Sequence, residues 1–282
     1  MKKLFRRIVI VMCALFVLVG CSSSSSGTAD VPAEDTGRTV YRIGMECDYA
    51  PNNWQEDTAT DTNVEISNLS GFYAEGYDVQ MALLIGEYLD ADIEIVKLAW
   101  GGLIESLNNG QIDMIIAGMG DTPERKQSIN FSNTYSTHKT EYVVVVRSDS
   151  EYANATCLAD FSGATIQGQV NTYYDGAIDQ IPGVNHAQAA TDVPEMYYNV
   201  VNGLVDGIVV DDESALANAQ DGMTTVTFAN EADGFVVEMT GACVGLRLSD
   251  TELLDQVNAA LATIDTDTRY AMMAHAMEIM PQ

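Results

Sequence analysis

The chain has 282 residues, of which 13 are Lys or Arg and 41 are Asp or Glu, so its formal net charge is −28 at pH 7. Hydrophobic residues make up 47% of it, a globular composition that excludes wholesale disorder. This length accommodates one large domain or two medium ones. An acidic surface repels phosphates, whose binding depends on Lys and Arg. The composition therefore argues against a nucleic-acid partner.

The N-terminal residues have the features of a bacterial signal sequence. Four basic residues at positions 2–7 precede an apolar run at positions 8–19. Twelve apolar residues are too few to cross a membrane, which takes about 20. The sequence LVGC at 18–21 resembles the lipobox of bacterial lipoproteins, which predicts removal of residues 1–20 and lipidation of Cys21. An ordinary secretory signal and an uncleaved anchor are the alternatives.

Residues 21–39 are expected to be the lipidated Cys followed by a flexible tether, because a run of serines cannot bury enough apolar surface to fold. The mature protein is then held at the cell membrane, on its extracytoplasmic side, by the lipid on Cys21. Three further cysteines, Cys47, Cys157 and Cys243, fit neither a disulfide framework nor a metal motif. One disulfide among them is left open, and no metal or cofactor is expected.

The apolar pattern predicts strands and helices that alternate along the rest of the chain. The first half is predicted to contain a strand at 40–45, a loop at 51–75, a helix at 76–89, a strand at 93–98, a helix at 103–108, a strand at 113–117, a helix that opens at Thr122-Pro123 and a strand at 142–147. The second half is predicted to contain strands at 164–167, 207–210, 224–228 and 243–248 and helices at 173–181, 193–202, 214–219, 251–264 and 268–280. This alternation predicts an α/β fold with mostly parallel sheets.

Several sequence blocks, in this order, resemble the family-3 solute-binding proteins of amino-acid ABC transporters. They are IGMECDYAP at 43–51, GYDV at 76–79, WGGLI at 100–104, GQIDMIIAGM at 110–119, TPERK at 122–126, GLVDGIVVD at 203–211 and VGLR at 244–247. Any one block is a weak signal. Together they cover nearly the whole mature chain behind a lipobox, and the set is therefore specific.

The resemblance implies a two-lobed α/β fold of the type II periplasmic-binding-protein class. Lobe one would comprise residues 40–145 plus 246–282, and lobe two residues 146–245. Two crossing strands, 141–147 and 241–246, would form the hinge. A ligand in the cleft would stabilise the closed state by contacting both lobes.

The resemblance also implies two charged contacts with an amino-acid ligand. Arg125 corresponds to the arginine that binds the α-carboxylate, for which its planar guanidinium offers two parallel donors. Asp211 corresponds to the acidic residue that pairs with the α-ammonium. The alternative for Asp211 is to cap the helix at 214–219, which Asp212 would do equally well.

Six further positions match the family's ligand site. Tyr49 and Trp100 correspond to the aromatic residues that sandwich the ligand side chain, with core packing as the alternative. Gly118 and Gly120 stand where many members carry Ser or Thr, which leaves only backbone N–H donors beside the carboxylate. The remaining two are Thr172, in the lobe-two turn where Asn171 replaces the usual Gly, and Tyr173, which follows it at a helix N-terminus.

Glu46 bears on ligand selectivity. It lies three residues before Tyr49, where members that bind basic amino acids tend to carry an acid. An acid in the pocket would favour Lys, Arg or ornithine. Coincidence is the alternative in so acidic a chain.

These observations predict an extracellular receptor that delivers a polar amino acid, basic if Glu46 lies in the pocket, to an ABC importer. Its expected partners are the free amino acid, the permease and ATPase subunits, and the membrane through the lipid anchor. Two alternatives are kept. One is an enzyme on the same fold, such as a cyclohexadienyl dehydratase, in which a cleft carboxylate acts as general acid. The other is a ligand-sensing domain.

Overall fold

The computed structural model describes residues 37–137, 139–218, 221–230, 232–237 and 241–281. The predicted signal peptide and Cys21 lie outside these residues. Most of the predicted tether does as well, although its last residue, Thr39, already begins a strand. Within the described ranges, no helix is long and apolar enough to cross a membrane.

Strands and helices alternate through most of the described chain. The strands are β1 (Thr39–Met45), β2 (Asp48–Tyr49), β3 (Asn53–Glu56), β4 (Val64–Glu65), β5 (Tyr73–Glu75), β6 (Ala91–Lys97), β7 (Met114–Ile115), β8 (Ile129–Thr134), β9 (Tyr142–Arg147), β10 (Thr165–Gln167), β11 (Asn185–His186), β12 (Gly207–Asp211), β13 (Met223–Val226) and β14 (Cys243–Arg247). The α-helices are α1 (Tyr77–Tyr88), α2 (Leu103–Asn108), α3 (Tyr173–Ile178), α4 (Val193–Val201), α5 (Asp212–Ala217), α6 (Thr251–Thr263) and α7 (Thr266–Ile279).

Two five-stranded sheets form the centres of the two lobes. The first sheet has the strand order β6-β1-β7-β14-β8, and the second has the order β11-β10-β12-β9-β13. The chain passes from the first sheet to the second between β8 and β9, and it returns between β13 and β14. The two strands predicted for the hinge, β9 and β14, are thus the first strands after each crossing.

Both sheets are mixed, whereas the sequence predicted mostly parallel ones. β1 is parallel to β6 and β7, and β10 is parallel to β11 and β12. β9 and β14 are each antiparallel to both of their neighbours. They enter their sheets directly from the other lobe, without the helical crossover that parallel neighbours need. The crossings therefore explain the difference.

Residues 51–75, predicted to be a loop, contain three strands. With β2 they form a four-stranded antiparallel sheet of order β2-β3-β5-β4. A bridge between Ile66 and Ile95 joins this segment to the first sheet. Trp54 and Ala74 are buried, but most of the segment is polar. Its strands form by backbone pairing around a few apolar anchors, which apolar periodicity does not detect.

The second sheet is buried on both faces, which explains the continuous apolar sequence of β9. Successive side chains of a strand point to opposite faces. Val143 and Val145 accordingly pack in one buried cluster, and Val144 and Val146 pack in another. Because full burial of one such side chain contributes roughly 1.5–3 kcal/mol, this strand is a main anchor of the second lobe.

In the first lobe, α1 packs on the core as its apolar spacing predicts. Val79, Ala82 and Ile85 are fully buried. Gly76 precedes the helix with φ +121, and a Cβ at this position would lie 2.5 Å from the carbonyl oxygen of Asn52. Glycine is therefore required where the small sheet meets the helix.

The helix predicted to open at Thr122 is not formed. Pro123 lies in a turn, and a single 3-10 turn follows at Arg125–Gln127. The hydroxyl of Thr122 accepts a hydrogen bond from the Arg125 N–H at 3.0 Å. β8, which the apolar pattern did not predict, begins at Ile129 and leaves no length for a longer helix.

Candidate functional site

Eight of the nine residues predicted to bind ligand line one small cavity between the lobes. The cavity has a volume of about 30 Å³. The eight residues are Glu46, Tyr49, Trp100, Gly118, Gly120, Arg125, Thr172 and Tyr173. A cavity of about 490 Å³ shares four of them, namely Trp100, Arg125, Thr172 and Tyr173. The ninth, Asp211, is hydrogen-bonded to Tyr49.

Asp211 ends the buried strand β12 and is only 4% exposed. Its Oδ1 accepts the Ser214 N–H at 2.7 Å, so Asp211 is the N-cap of α5. The capping alternative is thus realised by Asp211 and not by Asp212, and the helix begins two residues earlier than predicted. Burial raises the pKa of Asp211, and hydrogen bonds from Tyr174, Tyr49 and the Ser214 N–H oppose that rise. A buried carboxylate of this kind is electrostatically suited to a cation.

Two tyrosines from different lobes meet at the other oxygen of Asp211. Tyr49, on β2, donates its hydroxyl to Oδ2 at 2.5 Å, and Tyr174, on α3, donates to the same atom at 2.6 Å. Their two phenol oxygens are 3.0 Å apart. The Tyr49 side chain also packs in an apolar cluster with Val143 on β9. Tyr49 is therefore a physical link between the lobes.

Arg125 lies across the cleft from the turn that precedes α3. Its Nη1 donates to the Gly120 carbonyl at 2.9 Å, and its Nη2 donates to the Asn171 carbonyl at 3.0 Å. The guanidinium carbon lies 5.0 Å from the ring centroid of Trp100, a cation–π contact. Burial lowers the pKa of Arg125. The position of this partly buried cation in the cavity wall makes a ligand carboxylate a favourable partner.

Glu46 follows β1 and is 7% exposed. Its Oε1 accepts a hydrogen bond at 3.0 Å from Nε2 of Gln169, a residue of the second lobe. Burial raises the pKa of Glu46 to about 8. A ligand cation beside this carboxyl would lower its pKa again by favouring the ionised form.

The two glycines of the site have different roles in the structure. Gly118 adopts φ +63, and a Cβ at this position would lie 2.7 Å from Cε1 of Tyr49, which explains why Ser or Thr is not found here. Its N–H donates to the Tyr135 hydroxyl at 3.1 Å. Gly120 contributes its carbonyl, which accepts from Arg125. The backbone N–H of Gly118, which was expected to donate to the ligand carboxylate, thus donates to Tyr135 within the protein.

The second-lobe turn before α3 is shaped by an unusual backbone conformation. Asn171 has φ +58, in the left-handed region, which explains why the family usually has Gly at this position. Its carbonyl accepts from Arg125 and, at 3.3 Å, from Nε1 of Trp100. The Thr172 hydroxyl donates to the Gln169 carbonyl at 2.6 Å. This turn therefore contacts the first lobe through its backbone.

Several residues of the site, Tyr174, Gln169 and Asp78 among them, were not found from the sequence. Tyr174 and Gln169 line the small cavity, and no motif distinguished either of them from neighbouring polar residues. Asp78, in the GYDV block, is fully buried and accepts from the Tyr135 hydroxyl at 2.7 Å and from Asn53 Nδ2 at 2.8 Å. Burial raises its pKa to about 7. Through Tyr135, this carboxylate positions the backbone of Gly118.

The fold and the site together define a two-lobed binding protein, and comparison with known proteins identifies its family. Residues 41–276 match the family described as bacterial extracellular solute-binding proteins, family 3. The chain belongs to this family.

Its relatives are similar over most of their length. The arginine-binding extracellular protein ArtP of Bacillus subtilis is 27% identical over 270 residues, which cover 92% of this chain and 91% of ArtP. A probable histidine-binding protein of Campylobacter jejuni is 27% identical over 234 residues, which cover 83% of each chain. A solved structure of the substrate-binding protein of an amino-acid ABC transporter has a TM-score of 0.68 and 28% identity, and the match covers 83% of this chain and 97% of that one.

Proposed function

We propose that this protein is an extracellular receptor that binds a free α-amino acid between its lobes and delivers it to an ABC importer. One observation carries the proposal: a partly buried cation, Arg125, and a buried carboxylate, Asp211, belong to opposite sides of one cleft, and eight of the nine predicted ligand residues line a single cavity there. An α-amino acid zwitterion, whose ammonium and carboxylate groups are attached to the same carbon, would match this pair. The relatives named as arginine- and histidine-binding proteins support the same class of ligand.

The ligand that fits best is basic. Glu46 lines the small cavity and is a second acidic group of the site besides Asp211, and its charge is unfavourable there without a cation because the carboxyl is buried. A basic side chain near Glu46 would supply that cation. Histidine, arginine, lysine and ornithine are the candidates to test first.

A thermal-shift screen of the purified protein against the common amino acids tests the proposal. A ligand that binds only the folded state raises the apparent stability by RT ln(1 + [L]/Kd), so at equal concentration a tighter-binding ligand raises Tm more. We expect one or more basic amino acids to raise Tm. The Asp211→Asn variant should lose most of this shift. No response to any amino acid would refute the assignment.

We further propose that residues 40–145 plus 246–282 and residues 146–245 move as two bodies around β9 and β14. A hinge closure needs a ligand that contacts both bodies, as Arg125 and Asp211 would allow. The protein then acts by binding and release, with no catalytic step. Small-angle scattering should show a smaller radius of gyration at saturating ligand, and an unchanged radius would contradict hinge closure.

We also propose that Cys21 carries a lipid that holds the receptor at the cell membrane, on its extracytoplasmic side, next to the permease. The basic, apolar and small residues before Cys21, and the serine run after it, support this proposal. In cells labelled with a radioactive fatty acid, the wild-type protein should incorporate label and the Cys21→Ser variant should not. Equal labelling of the two would refute it.

A further inference from the structure

Both oxygens of the Asp211 carboxylate accept hydrogen bonds from groups of the chain itself, one at Oδ1 and two at Oδ2. Oδ1 accepts the Ser214 N–H, and Oδ2 accepts the hydroxyls of Tyr49 and Tyr174 at 2.5 and 2.6 Å. A carboxylate oxygen has two lone pairs, so two phenol donors fill Oδ2. An α-ammonium that binds Oδ2 must therefore replace one of the phenols.

The two phenols differ in which lobe carries them. Tyr49 belongs to the first lobe, so its hydrogen bond to Asp211 breaks whenever the cleft opens. Tyr174 and Asp211 both belong to the second lobe, on α3 and at the end of β12. Their hydrogen bond can therefore persist in the open conformation, where the ligand first arrives.

We propose that Tyr174 is an affinity-determining residue of this site, because its hydroxyl competes with the ligand α-ammonium for Oδ2 of Asp211. With Tyr49 it also forms a clasp across the cleft that favours closure without any ligand. This inference rests on the proposed function, since it takes the ligand to be an α-amino acid. The family resemblance gives Tyr174 no role.

A substitution can remove the hydroxyl of Tyr174 and keep the packing of its ring. The ring stacks edge-on against Tyr142, with the centroids 5.3 Å apart. Tyr174→Phe keeps this contact and removes the hydroxyl, which donates to Asp211 and lies 3.0 Å from the Tyr49 hydroxyl. Tyr197→Phe is a matched control, since Tyr197 is also a buried second-lobe tyrosine but donates to the Ser214 carbonyl at 3.2 Å.

The first test measures affinity by calorimetry with the amino acid that gives the largest thermal shift with the wild-type protein. Because Tyr174→Phe removes one competing hydrogen bond, this variant should bind the amino acid about 2- to 10-fold more tightly than the wild type does. Tyr197→Phe should bind as the wild type does. A residue that merely supports the structure would weaken binding when changed, so unchanged or weaker binding by a folded Tyr174→Phe protein overturns the proposal.

The second test needs no ligand, so it distinguishes failure of the clasp from failure of the proposed function. Small-angle scattering is measured on the ligand-free wild type, on Tyr49→Phe and on the double variant with Tyr174→Phe. We expect a larger radius of gyration for both variants, because each lacks the hydroxyl that bonds across the lobes. Equal radii in all three proteins overturn the clasp. If no amino acid binds the wild type, the proposed function fails, and this comparison still decides whether the clasp exists.

Discussion

Replacement of Arg125 tests the charge arrangement of the site most directly. A guanidinium has five N–H donors. In the described part of the chain, Nη1 and Nη2 each donate one hydrogen bond to a backbone carbonyl, those of Gly120 and Asn171. The remaining N–H groups can donate to a ligand carboxylate while the side chain stays in its present position. Arg125→Ala removes this partner and leaves the ligand carboxylate buried without a counter-charge.

The expected loss follows from the enclosure of this ion pair between the lobes when the ligand is bound. Removing one member of a desolvated, hydrogen-bonded ion pair costs about 2–5 kcal/mol, which corresponds to a loss of affinity of about 30-fold or more. Arg125→Lys should fall between the wild type and Arg125→Ala. Lysine keeps the charge but loses the paired donors and the planar contact with Trp100.

Calorimetric titration with the amino acid identified by the thermal-shift screen provides the measurement. Arg147→Ala is the control, because Arg147 is a partly exposed arginine that pairs with Asp149 and does not line the cleft cavity. It should bind as the wild type does. Because Arg125 also bonds to two carbonyl groups, the Tm of each variant is measured as well. A folded Arg125→Ala protein with near-wild-type affinity would refute the assignment of the carboxylate partner.

Two predictions concern pH. The pKa of Glu46 is raised from 4.5 to about 8 by burial, so the folded state holds a proton that the unfolded state loses. Stability should therefore fall as pH rises from 4.5 to about 8. Glu46→Gln should have a higher Tm than the wild type near pH 8 and no such advantage near pH 4.5. His186 bonds to Asp175 and Asp179 at 2.9 Å each. Burial lowers its pKa, but these hydrogen bonds raise it overall above 6.5. Its contribution should be complete below pH 6.5 and disappear as pH rises through the folded value, so His186→Gln should be destabilising in acid and nearly neutral in alkaline solution. For each variant, a difference in Tm from the wild type that does not change with pH would contradict the corresponding prediction.

The parts of the fold that sequence predicts well are those whose own side chains determine burial. β9 is found at its observed bounds because its valines fill two apolar clusters. β8 was missed because Ile129–Thr134 contains polar residues and becomes a strand by pairing with β14, over one hundred residues later. Its pairing is a property of the folded chain and not of its local sequence.

The same difference between local and long-range determinants applies to the candidate site. Arg125 and Asp211 were assigned through family resemblance, which compares positions and needs no knowledge of contacts. The bond between Tyr49 and Asp211 joins residues that are 162 positions apart, and no spacing rule relates them. Tyr174 was missed for this reason, although its neighbour Tyr173 was assigned.

The way in which the buried acids are hydrogen-bonded says more about the ligand than the net charge does. Glu46, Asp78 and Asp211 are each less than 10% exposed, and burial raises the pKa of all three. Their side-chain hydrogen bonds come from amide and phenol groups, which are neutral donors. Neutral donors satisfy hydrogen bonding without supplying positive charge, so ionisation of these acids remains unfavourable. Glu46 lines the cleft cavity and Asp211 lies beside it. Both would ionise most favourably next to a positively charged group of the ligand. A basic amino acid has two such groups, its α-ammonium and its side chain, one for each acid.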